Sequence, residues 1–440
     1  MHSSTESANP KNVIATNRVF YLQDQVLFAA LSGDFNPIHV DPIFARRSQF
    51  GSVIVHGIHT LLWALDIFAG SVNRPFQILK LRSSFMNPIK IDQKAELVIA
   101  IQPGNFEVTV AVDGIPCVRC FFNYEFVDTT QTDLKKISRP HSEQTLTKSQ
   151  PQSSAGPRPT LLDHNSIVGQ QGDLIRIINT ESVGQLFPAL KAFSELKQIY
   201  QIMQTTEVVG MKCPGLNSIY SNLQMQFHSI ATQSDHQSIG ETNPEYAQLS
   251  YKTKSFDERF FLCCINVNGP GVEGEIKAFL AKPAPAQDSL RECQRFAKSR
   301  DLKKVRAIII GGSRGIGENV TKILAACGAD VLFTYHFGKI ESDAIELEAG
   351  QLQLNARGLR FDILNDQVGA ILPQEWRPTH LFYFATPKIE QGIPQKFNDH
   401  LLQKFVNYYV SAFARLIQSI DTSDLKGVFY PSTAFLNTLP

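Results

Sequence analysis

Val55-His56-Gly57-Ile58-His59-Thr60-Leu61-Leu62-Trp63-Ala64-Leu65-Asp66-Ile67-Phe68-Ala69 is apolar almost all the way round and opens on a His-Gly step. Its length and composition predict a buried helix rather than a surface one. Downstream, ILKLRSSFM (78–86), KAELVIAIQ (94–102), FEVTVAVDG (106–114) and PCVRCFFNYEF (116–126) are alternating or β-branched runs separated by Gly, Pro and Asp. One long helix followed by a meander of strands predicts an α+β layer with the sheet wrapped on the helix.

Just upstream stands Ser32-Gly33-Asp34-Phe35-Asn36-Pro37-Ile38-His39. An acid and a base five residues apart, pinned by Asn-Pro, can handle a proton and a hydroxyl on one substrate face. The His-Gly step at the helix start can supply a backbone N–H to an oxygen that gains charge. Together these are the parts needed to add water to, or remove it from, an acyl thioester. His39, with an ordinary pKa near ~6.5, can exchange the carbon-bound proton, while Asp34 protonates the departing hydroxyl or orients the incoming water. The plainer alternative is that Asp34 and His39 only cap a Pro-containing turn. His56 reads as a structural hydrogen-bonder, and a metal site from His56, His59 and Asp41 is the minor alternative. Arg46 and Arg47 suit either the phosphates of a thioester carrier or a solvated helix face.

The 440 residues hold 43% hydrophobic side chains, enough for about three domains. Lys and Arg total 42 against 41 Asp and Glu, which gives no net field to attract nucleic acid or an anionic membrane. No signal peptide or apolar span opens the chain, so a cytoplasmic, soluble protein is expected. Seven cysteines, two of them adjacent at Cys263 and Cys264, suit reduced thiols. Cys117-Val-Arg-Cys120 has metal-like spacing without a second pair and reads as small buried hydrophobes; no metal is expected.

The helix-then-strands order recurs. After a Ser, Thr, Gln and Pro-rich linker over 129–159, a helical stretch from about Phe187 to Thr206 precedes strand-like runs at 216–230, 246–257, 259–269 and 274–282. Asp-x-Asn-Pro-x-His is missing there, so residues 160–285 are expected to be a degenerate partner of 1–128, kept for its surface. A connector over 286–302 leads to KKVRAIIIGGSRGIGENVTKILAACGADVLFTYH, an apolar strand, a Gly-rich turn, a helix and a second strand. This is the opening of a dinucleotide-binding βαβ unit. Arg314 lies in the turn, and Phe333-Thr334-Tyr335-His336 brings no acid to a ribose 2′-hydroxyl, so NADP is favoured over NAD. Further strands are expected at FDI (361–363), THLFYFAT (379–386) and KGVFYPST (426–433).

The N-terminal motif and its downstream His-Gly step resemble the MaoC-like, (R)-specific enoyl hydratase and hydroxyacyl dehydratase family, over about residues 13–128. The resemblance implies a hot-dog fold, Asp34 and His39 as the catalytic pair, Asn36 holding the loop and the water, and Gly57 donating its N–H to the thioester oxygen. Gly311-Gly312-Ser313-Arg314-Gly315-Ile316-Gly317 resembles the cofactor turn of short-chain dehydrogenases/reductases. That implies an incomplete Rossmann-type parallel sheet over 303–440, with Gly311, Ser313, Arg314, Gly315, Ile316 and Gly317 at the cofactor, Asp362 at its adenine, and Ser432 or Thr433 as the reductase serine. Departures are plain: Tyr383-Phe384-Ala385-Thr386 replaces Asn-Asn-Ala-Gly, the usual helix Asn falls near Asn407-Tyr408, and no Tyr-x-x-x-Lys follows before Pro440. The chain is therefore expected to be a fragment of a longer fusion.

The combined expectation is a double hot-dog region, only its first half catalytic, that interconverts trans-2-enoyl and (R)-3-hydroxyacyl thioesters without a cofactor, followed by an NADP-binding reductase-like domain. Its partners would be acyl-CoA or acyl-carrier-protein thioesters, with oligomerisation possible. A non-catalytic thioester- and NADP-binding scaffold and a thioesterase are the rival readings.

Overall fold

The computed structural model describes residues 12–127, 157–162, 164–228, 245–281, 287–297, 301–367, 372–387 and 397–432. Most of the expected linker and Thr433 lie outside these residues. The chain divides into two compact units, Met1–Ala284 and Pro285–Pro440.

In the first unit β1 (Asn12–Val19), β2 (Phe76–Phe85), β3 (Lys94–Gln102), β4 (Asn105–Val112) and β5 (Ile115–Phe126) form one half of a sheet. The other half is β6 (Gln171–Ile177), β7 (Ser218–Phe227), β8 (Tyr246–Asp257), β9 (Leu262–Gly269) and β10 (Val272–Leu280). All ten strands are hydrogen-bonded into one sheet of order β1-β3-β4-β5-β2-β7-β10-β9-β8-β6, antiparallel throughout. Each half repeats the same internal order, mirrored about β2 and β7, whose register runs from Lys80 opposite Gln226 to Ser84 opposite Asn222.

A simple meander fails in one place. Asp113 and Gly114 both take positive φ, the tight hairpin that such a pair favours, and join β4 to β5. Residues 86–93 between β2 and β3 are instead a long crossing, and β2 pairs with β5 and β7 rather than with β3. The strand β1 and the helix Leu22–Ser32 had no expectation attached to them.

The apolar helix is Gly57–Val72, buried nearly all round as its composition predicts. Phe68 stacks on Phe106 at 3.9 Å, and Phe106 on Phe122 at 4.6 Å. The second half's helical stretch is interrupted: Pro188–Phe193 ends at Ser194, which takes extended backbone, and Leu196–Glu207 begins afresh. This second central helix is buried although it carries three glutamines. Each donates its amide N–H to backbone. Gln198 pairs with both N–H and C=O of Ile78, Gln201 donates to Pro270 O, and Gln204 to Leu174 O and Ala247 O. Asp66 of the first central helix accepts from Ala189 N and Leu190 N, both at 2.9 Å, capping Pro188–Phe193 across the two halves.

In the second unit β11 (Arg306–Ile310), β12 (Asp330–Tyr335), β13 (Ala356–Arg360), β14 (His380–Tyr383) and β15 (Gly427–Phe429) form a parallel sheet of order β13-β12-β11-β14-β15. Counted from the unit's first strand this is 3-2-1-4-5, the order of doubly wound α/β sheets. The third strand ends at Arg360, so Phe361-Asp362-Ile363 follows it rather than forming it. Among the described residues no helix is long and apolar enough to cross a membrane.

Candidate active site

Helix Leu22–Ser32 stops because Gly33 turns left-handed, φ 84°, and bonds back to Ala29 O. The chain is thereby released into the Asp34–His39 loop. Asn36 fixes that loop twice over. Its side-chain oxygen accepts from Ile38 N at 3.2 Å, capping Pro37–Val40. Its amide nitrogen faces three carbonyls of the second half, Gly210 O at 3.1 Å, Gly215 O at 3.3 Å and Leu216 O at 3.2 Å.

Asp34 is 1% exposed. Its carboxylate accepts from Asn36 N at 3.1 Å and from the Thr206 hydroxyl at 2.7 Å. Burial outweighs both bonds and pushes the carboxyl up to about 7. His39 gives Nδ1 to the Ile54 carbonyl at 2.8 Å, which fixes the tautomer and leaves Nε2 as the basic nitrogen. Burial pulls this imidazole down to about 4. It stacks on His56, ring centroids 3.8 Å apart.

Gly57 opens the first central helix, where the backbone N–H groups have no partner within the helix. A Cβ there would lie 2.8 Å from the Phe85 ring. Asp34, His39 and Gly57 line one cavity of about 170 Å³, walled by Ile54, Phe85, Val118 and Val209.

His56 faces Gln25 Oε1 with Nδ1 at 3.0 Å and the Asp34 carbonyl with Nε2 at 3.1 Å. Burial and the neighbouring His39 hold it well below its usual pKa, so it is neutral and donates through one nitrogen at a time. One atom each of Asp34, His39 and His56 falls within 4.8 Å of the others, the one such His/Cys/Asp/Glu cluster among the described residues. His59 is instead stacked on Phe28 at 4.6 Å, and Asp41 caps Pro42–Arg47, a helix that carries Arg46 and Arg47 in its last turn. Cys117 and Cys120 are buried in β5, Cys120 beside the Ser83 hydroxyl at 3.3 Å.

Residues of the second half were missed by sequence reasoning. Thr206, Gly210, Ser218 and Tyr220 share the cavity's lining, and Gly210 packs so closely that a Cβ would stand 2.1 Å from Asp34 Oδ1. The readable signal was Gly210, a glycine amid the apolar Val208-Val209 and Met211 just after a helix of hydroxyls and amides. The expectation that this half serves only as a surface is therefore corrected: the Thr206 hydroxyl and the Gly210 backbone touch the carboxylate itself.

In the second unit the Gly-rich turn joins β11 to the helix Gly315–Ala326. Gly311 has φ 83°, and a Cβ on Gly317 would stand 2.1 Å from Gly311 O, so only glycine fits this pair. Arg314, Gly315 and Ile316 are exposed and Ser313 is buried. Asp362 accepts from Leu364 N and Asn365 Nδ2 and lies 3.6 Å from His336. Tyr383 is buried, its hydroxyl on Tyr408 O. Ser432 is exposed beyond β15.

A family model described as a MaoC-like domain matches residues 5–105. The (R)-specific enoyl-CoA hydratase of Aeromonas caviae is 61% identical over 31 residues, which is 7% of this chain and 23% of that protein. The 3-hydroxyacyl-thioester dehydratase X of Mycobacterium tuberculosis is 32% identical over 83 residues, 19% of this chain and 29% of that one. The matches thus span under a third of these relatives. A solved MaoC-like dehydratase covers 61% of this chain and 98% of its own at 11% identity, with a TM-score of 0.42. The N-terminal part of the chain is a MaoC-like domain of hot-dog type.

Proposed function

We propose that the first unit adds water to trans-2-enoyl thioesters and removes it from (R)-3-hydroxyacyl thioesters, with coenzyme A or a carrier protein as the thiol. The observation that carries this is a buried carboxyl pushed up to about 7 and a half-buried imidazole pulled down to about 4 in one cavity with Gly57. Between about pH 4 and about pH 7 the pair therefore holds one proton, on Asp34. In dehydration neutral His39 Nε2 takes the proton from C2, Asp34 gives its proton to the departing hydroxyl, and the Gly57 N–H stabilises the thioester oxygen. Hydration runs the same transfers backwards. A thioesterase has no use for this division between acid and base, and release of free thiol would reveal one.

Purified chain incubated with crotonyl-CoA is expected to remove the conjugated enoyl absorbance. An inert protein on enoyl thioesters of several lengths and both carriers sinks the proposal in favour of a binding scaffold. The pH profile follows from the same two groups. Activity should be lost as pH falls through about 4, where His39 gains a proton, and as pH rises through about 7, where Asp34 loses one. A plateau extending well above pH 9 would contradict Asp34 as the acid.

For the second unit we propose an NADP-binding Rossmann-type fold of the short-chain reductase kind. The residues fit the group: Gly311 and Gly317 leave backbone where side chains would intrude, and the helix beginning at Gly315 points its N-terminus at the turn, a place for pyrophosphate. Ser313, Arg314 and Ile316 complete the turn, and in this reading Asp362 would meet the adenine and Ser432 would be the reductase serine. When bound, the cofactor supplies hydride. Arg314→Ala is expected to weaken NADPH about tenfold while leaving NADH nearly unchanged, read by fluorescence titration. Equal affinity of the unaltered protein for both would refute the 2′-phosphate assignment.

A further inference from the structure

The second half sets an ion pair against the start of the Asp34 loop, and the proton transfers above leave it unused. Arg176 of β6 reaches Glu207, the last residue of the second central helix, with Nε 2.9 Å and Nη2 2.8 Å from Oε2. Glu207 is buried and Arg176 half-buried. Both bear on Gly33, the residue at which the chain turns into the loop: a Cβ there would stand 1.8 Å from Arg176 Nη2 and 2.9 Å from Glu207 Oε2. Glu207 also follows Thr206 directly, and the Thr206 hydroxyl donates to Asp34 Oδ2. The pair thus lies against the residue before Asp34 and beside the residue that holds its carboxyl.

An ion pair with a buried partner adds little stability, because desolvation rivals the attraction and apolar side chains would fill the space without that cost. Its charges reach further than its contacts. Glu207 and Asp34 are close enough for the charge of either to oppose ionisation of the other, while Arg176 and Lys212 act on Glu207 in the opposite sense. The other titratable groups against Asp34 are His39 and His56, which burial holds uncharged near neutrality. With Arg176 and Glu207 both in place their charges offset each other, and burial is what raises the Asp34 carboxyl.

We propose that Arg176 and Glu207 are positioning residues for the general acid, a balanced pair of charges seated on Gly33 that governs how readily Asp34 releases its proton. The assignment rests on the hydratase/dehydratase reading. Neither residue touches substrate in it, and neither takes a proton during the reaction.

Glu207→Gln, alone and combined with Arg176→Met in the full chain, tests this through the pH profile of crotonyl-CoA hydration. The single change keeps the shape of the side chain and leaves a guanidinium unmatched, which favours the ionised form of Asp34. The alkaline limb, set by Asp34 at about 7, should therefore move down by about half to one pH unit. The double variant removes both charges, and the limb should return to its starting place. A limb that stays put or rises in Glu207→Gln overturns the proposal. So does a limb that remains displaced in the double variant, which marks a packing role. Carboxyl ¹³C NMR of aspartate-labelled protein, with Asp34→Asn to assign the signal, follows the same titration without turnover. An unaltered protein inert on every enoyl thioester thus overturns the hydratase reading, whereas an Asp34 titration unmoved by Glu207→Gln overturns the role of the pair by itself.

Discussion

Asp34→Asn and His39→Gln are each expected to cut crotonyl-CoA hydration by about a thousandfold or more while leaving the fold intact. General acid-base help of this kind is worth about 10²- to 10⁴-fold, and each residue has no substitute in the cavity. His56 is the nearest candidate, 3.9 Å from Asp34, but its nitrogens are engaged by Gln25 and the Asp34 carbonyl. Stability should change little for a specific reason. Asp34, pushed up to about 7, is already about half uncharged at neutrality, and an asparagine keeps an oxygen for the Thr206 hydroxyl. The melting midpoint should therefore shift by an amount equivalent to under about 1 kcal/mol. Steady-state rates and thermal melts on both variants check this. Retention of more than a tenth of the turnover in either one removes that residue from the mechanism.

Gly210→Ala should cost on the order of a hundredfold in rate although it touches no substrate in the proposed scheme. The new Cβ would lie 2.1 Å from Asp34 Oδ1 and 2.6 Å from its Cγ. The carboxylate has nowhere to retreat, since Asn36 N and Thr206 hold it from two sides, and the Asn36 amide ties the loop to Gly210 O. Overpacking of this sort costs about 1–3 kcal/mol, and a displacement of about 1 Å at the reacting group costs on the order of a hundredfold in rate. Gly70→Ala is the matched control. There a Cβ would meet Ala189 at an ordinary 3.6 Å, and helix propensity should add about 0.5–1 kcal/mol. Full activity in Gly210→Ala would show that the second half can yield and does not position Asp34.

Local pattern carried much of this molecule. KAELVIAIQ and YAQLSYKTKSFD are strands from end to end because alternation reports a half-buried strand directly. The Asp34–His39 loop and the glycine at the helix start were legible because those residue types have few other reasons to occur together. Pairing was not legible: nothing local to β2 says that its neighbours are β5 and β7. Nor was the burial of Leu196–Glu207, whose glutamines and threonines look like a surface until the backbone carbonyls that receive them are known. Thr206 and Tyr220 escaped for the same reason, since each acquires a meaning only from residues well over a hundred positions away.

Asn36 grips the second half through three carbonyl oxygens, which every amino acid possesses. Two of the three belong to Gly210 and Gly215, where a Cβ would stand 2.1 Å from Asp34 Oδ1 and from Thr160 O, so the grip tolerates a new side chain only at Leu216. The second half thus holds the Asp34 loop although the family match ends at residue 105, and that end is a poor guide to where the first unit can be cut. A chain trimmed to the recognisable stretch would lose β4, β5 and every contact that holds the Asp34 loop from behind.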